Sequence, residues 1–79
     1  MAGLVNINVV PGKFYDVAEK LSELEEVKNV WGAYGDVDLI AHIEGEETLS
    51  EVVIKKIHAI EGVTHTSTTV LIPLKKGEL

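Results

Sequence analysis

Val27-Lys28-Asn29-Val30-Trp31-Gly32-Ala33-Tyr34-Gly35-Asp36-Val37-Asp38-Leu39-Ile40-Ala41-His42-Ile43-Glu44 is the stretch whose reading decides the fold. Residues 27–34 and 39–44 are rich in β-branched and aromatic side chains and flank Gly35-Asp36, a pair suited to a turn with unusual backbone angles. The spacing predicts a β-hairpin. On its N-terminal side, residues 4–10 alternate Val5, Ile7 and Val9 with Asn6 and Asn8, the period of a half-buried strand, and Pro11-Gly12 ends the run. Phe14, Val17, Ala18, Leu21 and Leu24 then recur every three or four positions and predict a helix over 13–24 with one apolar stripe.

Beyond the hairpin, Thr48 followed by Glu51 resembles a capping box, and Leu49, Val52, Val53, Ile57 and Ile60 supply the stripe of a second helix. Gly62 closes that helix. Residues 63–74 are rich in Thr, Val and Ile and predict a fourth strand before a polar tail at Lys75-Lys76-Gly77-Glu78. The order is βαββαβ, and the chain repeats it weakly. A step of 36 positions carries Val17 to Val53, Lys20 to Lys56, Leu21 to Ile57, Leu24 to Ile60 and Val27 to Val63. Two such halves build an α+β, ferredoxin-like sandwich: a four-stranded antiparallel sheet with two helices on one face.

Alternation then divides the sheet. Val5, Ile7, Val9, Leu39, Ala41 and Ile43 should face the helices, and Asn6, Asn8, Val10, Ile40 and His42 the uncovered side. A mixed apolar surface of that kind is rarely left wet in a monomer, so a two-fold dimer through the sheets is expected. Length points the same way. At 79 residues the chain reads as one domain over 1–79, of a size that buries only about 60–65% of its unfolded surface.

Composition removes several function classes. Without cysteine there is no disulfide, thiolate metal site or cysteine nucleophile. The formal charge is −6, and the basic residues are scattered lysines with no arginine, which argues against direct contact with nucleic acid. No apolar run approaches a membrane span and no leader-like segment opens the chain, so a cytoplasmic location is expected. His42, His58 and His65 have no close-spaced ligand pair, so neither a metal nor a cofactor is expected. The hydroxyl run Thr66-Ser67-Thr68-Thr69 has no neighbouring base, and no Gly-x-Ser-x-Gly elbow is present, so hydrolase chemistry is set aside. Trp31 and Tyr34 could stack on a ligand or fill an interface.

The turn Tyr34-Gly35-Asp36-Val37-Asp38 places two carboxylates around a glycine. Such a turn could hold the ammonium and carboxylate of an amino acid, and it is equally what a capped hairpin needs. Three segments together narrow the choice: Val9-Val10-Pro11-Gly12, the hairpin stretch 30–39, and Ile60-Glu61-Gly62-Val63-Thr64-His65-Thr66-Ser67-Thr68. In order and spacing they resemble the effector domain, known as the RAM domain, of the Lrp/AsnC transcription regulators, and the resemblance runs from about Leu4 to Leu74. Starting directly at the first strand, the chain is similar to the stand-alone RAM proteins.

That resemblance implies a dimeric α+β barrel type of domain that assembles into rings of dimers, binds an amino acid effector between dimers and is no enzyme. Carried over by position, Tyr34, Gly35, Asp36 and Asp38 would line the effector cleft with Thr66, Ser67 and Thr68, and full-length Lrp/AsnC regulators would be partners through co-assembly. Val37 stands where the family often carries an aromatic residue. Two other readings remain on the residues alone: a structural protein-interaction module, and a small dimeric ferredoxin-like enzyme using His42 or His65, for which the sequence offers no oriented partner.

Overall fold

The computed structural model describes residues 2–45 and 49–76. Strand β1 (Ala2–Val9) leads to helix α1 (Phe14–Ser22), strands β2 (Val27–Gly32) and β3 (Leu39–Glu44), helix α2 (Leu49–Val52), a π-helical turn (Val53–Ile57) and strand β4 (Val63–Val70). The strands form one antiparallel sheet in the order β2-β3-β1-β4. This is the ferredoxin-like arrangement expected from the βαββαβ order.

The core lies between this sheet and the helices. Val5, Ile7, Leu39, Ala41 and Ile43 from the sheet meet Val17 and Leu21 of α1 and Leu49, Val52, Val53 and Ile57 of the second helical segment, all buried. Val9 packs partly buried at the rim, as do Phe14, Ala18, Leu24 and Ile60. The internal repeat is visible in space: Val17 and Val53 are both buried, Leu21 and Ile57 likewise, and Val27 and Val63 each open a strand.

Element ends differ from the sequence reading for local reasons. Helix α1 stops at Ser22 because the N–H groups of Glu23 and Leu24 turn to the carbonyls of Lys20 and Leu21, three residues back. Strand β2 stops at Gly32, short of Tyr34: one more bond, from Ala33 N–H to Asp38 O, crosses the hairpin before the chain turns through the loop. Strand β4 stops at Val70 instead of reaching Leu74, since β1 begins at Ala2 and its carbonyl accepts the last ladder bond, from Leu71 N–H at 3.0 Å. The second helix is not regular: His58 N–H donates to Val53 O, five residues back. Thr48 of the expected capping box, and Gly77 and Glu78 of the expected tail, lie outside the described residues. Gly62 is needed as glycine. Its φ is +104°, and a Cβ there would stand 2.8 Å from Lys13 Cβ.

An ion pair ties the turn between α1 and β2 to the second helical segment. The side chain of Glu26, 13% exposed, accepts a hydrogen bond from Lys56 Nζ, while its backbone carbonyl takes Glu44 N–H at 2.9 Å. The Lys56 ammonium holds the Glu26 carboxyl below its ordinary value of 4.5. A carboxyl depressed in the folded state contributes stability above its unfolded pKa and loses it as pH falls through the folded one. Urea titrations of wild type and Glu26→Gln should therefore show wild type the more stable at neutral pH, with the gap closing as pH falls below about 4.5. A gap independent of pH would show that the carboxylate charge is not what stabilises this contact.

Candidate functional site

The loop over residues 33–38 is the best-built candidate. Glycine at position 35 adopts φ +136°, which a side chain would resist, and this lets the loop turn back over the end of β1. Four hydrogen bonds fix it there. Ala33 N–H donates to Asp38 O at 3.0 Å and closes the loop on itself. Asp38 N–H donates to Ile7 O at 3.0 Å, Val9 N–H donates to the Asp38 carboxylate at 2.9 Å, and the Asn8 side-chain amide donates to Asp36 O at 2.8 Å. The loop is thus held by its backbone and by one carboxylate.

This placement separates the predicted residues by role. Tyr34 is fully exposed at the loop, and Asp36 is exposed, its backbone carbonyl accepting the Asn8 side-chain amide. Asp38 is half-buried, and its carboxylate is already engaged by Val9 N–H, so it positions the loop. From β4, Thr66 pairs with Ile7, Ser67 with Asn6 and Thr68 with Val5 across β1. Directly paired residues share a face, so Thr66 and Thr68 lie on the helix side and Ser67 on the uncovered side. The Thr66 hydroxyl is 2.9 Å from His58 Nε2, which ties β4 to the end of the helical segment. The structure brings the loop and the start of β4 to the same end of β1 but does not put the three hydroxyls on one surface.

Sequence reasoning passed over Asn8 as a site residue. It holds the loop through Asp36 and pairs with His65, so both lie on the uncovered face at the loop end of β1. The signal was present: an amide at a strand position whose alternation leaves it outside the core. Val10, expected on the same face, lies past the end of β1 and is exposed.

The uncovered face is apolar in its middle. Leu4, Trp31 and Ile40 occupy it by register, with Trp31 43% exposed. His42 sits between Leu4 and Asn29, is buried, and has neither ring nitrogen hydrogen-bonded; Glu44 Oε1 is 3.8 Å from its Nε2, outside hydrogen-bond range. Trp31 therefore lies on the face expected to pair between subunits and away from the loop. A separate groove of about 370 Å³ runs between the helices, floored by Ala59 and Ile60 and rimmed by Lys13, Asp16, Lys20 and Glu61, and none of the predicted site residues lines it. Among the described residues no group of His, Asp and Glu side chains has the arrangement of a metal site, and no helix is long and apolar enough to cross a membrane.

Comparison with known proteins places this geometry. The family model described as the Lrp/AsnC ligand binding domain matches residues 3–76. An uncharacterised HTH-type transcriptional regulator of Pyrococcus furiosus is 33% identical over 78 residues, covering 96% of this chain and 53% of the regulator. The chain spans about half the length of the curated relatives it matches. Two solved structures are of nearly the same size. A hypothetical protein of Pyrococcus horikoshii superposes with a TM-score of 0.82 at 29% identity, over 92% of this chain and 90% of that one. A protein of Thermus thermophilus superposes with a TM-score of 0.86 at 25% identity, over 96% and 98%. The matching family is a regulatory ligand-binding one and not a family of enzymes. With its βαββαβ order, its sheet and its loop anchored on β1, the chain belongs to the Lrp/AsnC ligand binding domain family.

Proposed function

We propose that the chain is an oligomeric module that binds an amino acid beside the 33–38 loop and passes the binding event to its neighbours in the assembly. The observation that carries this reading is the anchored loop: Asn8 holds the Asp36 backbone carbonyl and Val9 N–H the Asp38 carboxylate, and Asp36 stands exposed between these anchors. A carboxylate so placed accepts an ammonium group. Hydroxyls of Ser67 or Thr68 at the neighbouring strand can donate to the ligand's carboxylate, and Tyr34 and Gly35 complete the rim. A structural neighbour at 17% identity, a transcriptional regulator of Neisseria meningitidis, was solved as an L-Met complex, which makes methionine the first amino acid to test.

In this reading a second copy covers Leu4, Trp31, Ile40 and His42 on the uncovered face, and further copies complete the cleft. The curated relatives are HTH-type regulators about twice as long as this chain. Co-assembly with such full-length regulators is the route by which a chain of net charge −6 and no arginine influences transcription without touching DNA itself.

Calorimetric titration of the oligomer with each of the twenty amino acids tests the proposal. At least one should bind, and Asp36→Ala should weaken it by tenfold or more with the circular dichroism unchanged. Absence of binding by all twenty would overturn it. One observation favours a second reading, a protein-interaction module with no effector: the Asp38 carboxylate is already consumed by Val9 N–H, as a capped hairpin alone requires.

A further inference from the structure

The groove between α1 and the second helical segment is framed at both ends. Lys13, before α1, lies 3.3 Å from Glu61 at the end of the second segment, and past the other end of α1 Glu26 holds Lys56. The two helical units therefore run antiparallel, and the hollow of about 370 Å³ lies between these ties with Ala59 and Ile60 as its floor. Ile60 packs partly buried against the core, which makes that floor firm. Small-molecule sites occupy about 300–1,000 Å³, and a hollow at the low end of that range suits a small ligand.

The charges on the rim are not all spent on one another. On α1, Asp16 and Lys20 line the groove one helical turn apart, with about 5–6 Å between their Cβ atoms. They do not pair. Lys20 instead reaches Glu23 at 4.0 Å, an exposed pair at the distance limit that contributes little and yields readily to a competitor. Among the described residues the carboxylates of Asp16 and Glu19, which also lines the groove, take part in no ion pair.

What the rim repels defines the ligand. An anion meets Asp16, Glu19 and Glu61, and a cation meets Lys13, Lys20 and Lys56. With no arginine in the chain there is no bidentate fork for a phosphate. A zwitterion satisfies both signs at once, while Ala59 and Ile60 take an aliphatic body out of water. We propose that the groove binds an α-amino acid with an aliphatic side chain, its ammonium group on Asp16, its carboxylate on Lys20 and its side chain on Ala59 and Ile60. The single turn between Asp16 and Lys20 suits a ligand whose two charged groups are attached to one carbon atom. Among the described residues none from the 33–38 loop or from β4 lines the groove, and every contact comes from one chain. This site therefore fills independently of the loop and of association between copies.

Methyl NMR of the intact assembly, labelled at alanine and isoleucine, tests the proposal with L-leucine as the probe. The Ala59 and Ile60 methyl signals should shift and saturate with leucine. Isoamylamine and isocaproate, which keep the aliphatic body and lack one charge each, should not reproduce the shift. Asp16→Asn and Lys20→Gln are at exposed positions and should each weaken leucine binding in the groove by tenfold or more, with circular dichroism unchanged. Asp36→Ala should leave the shifts as they are in wild type. Absence of saturable shifts at millimolar leucine, equal shifts with either analogue, or unchanged affinity in Asp16→Asn would overturn the proposal. Shifts that vanish in Asp36→Ala would overturn it too, because leucine would then act from the loop. Failure at the groove leaves the reading of the loop intact, since no loop residue enters these readouts except Asp36 as the control.

Discussion

Leu21→Ala is expected to remove about 2–5 kcal/mol of unfolding free energy, and at low protein concentration to leave a substantial unfolded population. Leu21 is fully buried in α1, one turn from Val17, and belongs to the cluster formed with Ile7, Leu39, Ile43 and Ile57. Truncation both removes transfer free energy and leaves a void that a sheet on one side and a π-helical turn on the other cannot readily close. The loss is large against the roughly 5–15 kcal/mol that holds typical domains together, and a chain of 79 residues sits toward the weak end of that range. Urea unfolding at several protein concentrations measures it. The midpoint should fall at every concentration, and raising the concentration should recover part of the loss if association stabilises the fold. A loss below about 1 kcal/mol would mean that α1 is not seated on the sheet as described.

The elements that were legible in the sequence are those whose side chains alternate between two environments. Ile7 and Val17 could be placed in the core because polar residues stand at the wrong period beside them, Asn6 and Asn8 for the strand and Asp16, Glu19 and Lys20 for the helix, and both are fully buried. The hairpin was legible for a similar reason, since only a turn accommodates Gly35-Asp36 between two β-prone runs. Strand ends were not, because they depend on the partner strand: Leu71 has the composition of a strand residue, but among the described residues the ladder to β1 ends with its bond to Ala2. The π-helical turn left no mark either. Leu49, Val52, Val53 and Ile57 satisfy an ordinary helical stripe, which does not distinguish a π-helical turn from an α-helical one. At the candidate site, the residue types around the glycine turn were visible, while their division of labour was not. That Asp36 is exposed and Asp38 engaged is decided by the approach of β1, and this is a contact across 29 positions of sequence.

That division of labour gives the second large effect, in a comparison of Asp38→Ala with Asp36→Ala. Asp38 contributes its carbonyl to Ala33, its N–H to Ile7 and its carboxylate to Val9. Alanine retains the first two and leaves the half-buried Val9 N–H without its charged acceptor, a loss of about 1–3 kcal/mol. The loop should then detach from β1, seen as faster exchange of the Val9 amide, and affinity for any amino acid found to bind should fall by tenfold or more because the site is no longer preorganised. Asp38→Asn keeps an oxygen at the same place without the charge and should recover part of both losses. Asp36→Ala behaves differently. Its side chain is exposed and its loop contact runs through the backbone carbonyl, which alanine keeps, so stability should change by no more than about 0.5 kcal/mol while ligand affinity falls. Loss of affinity in both variants with loss of stability only in Asp38→Ala identifies Asp36 as the contact and Asp38 as the positioning residue. If Asp36→Ala binds like wild type and Asp38→Ala alone is impaired, the loop serves the fold, and an effector, where one binds, is held elsewhere.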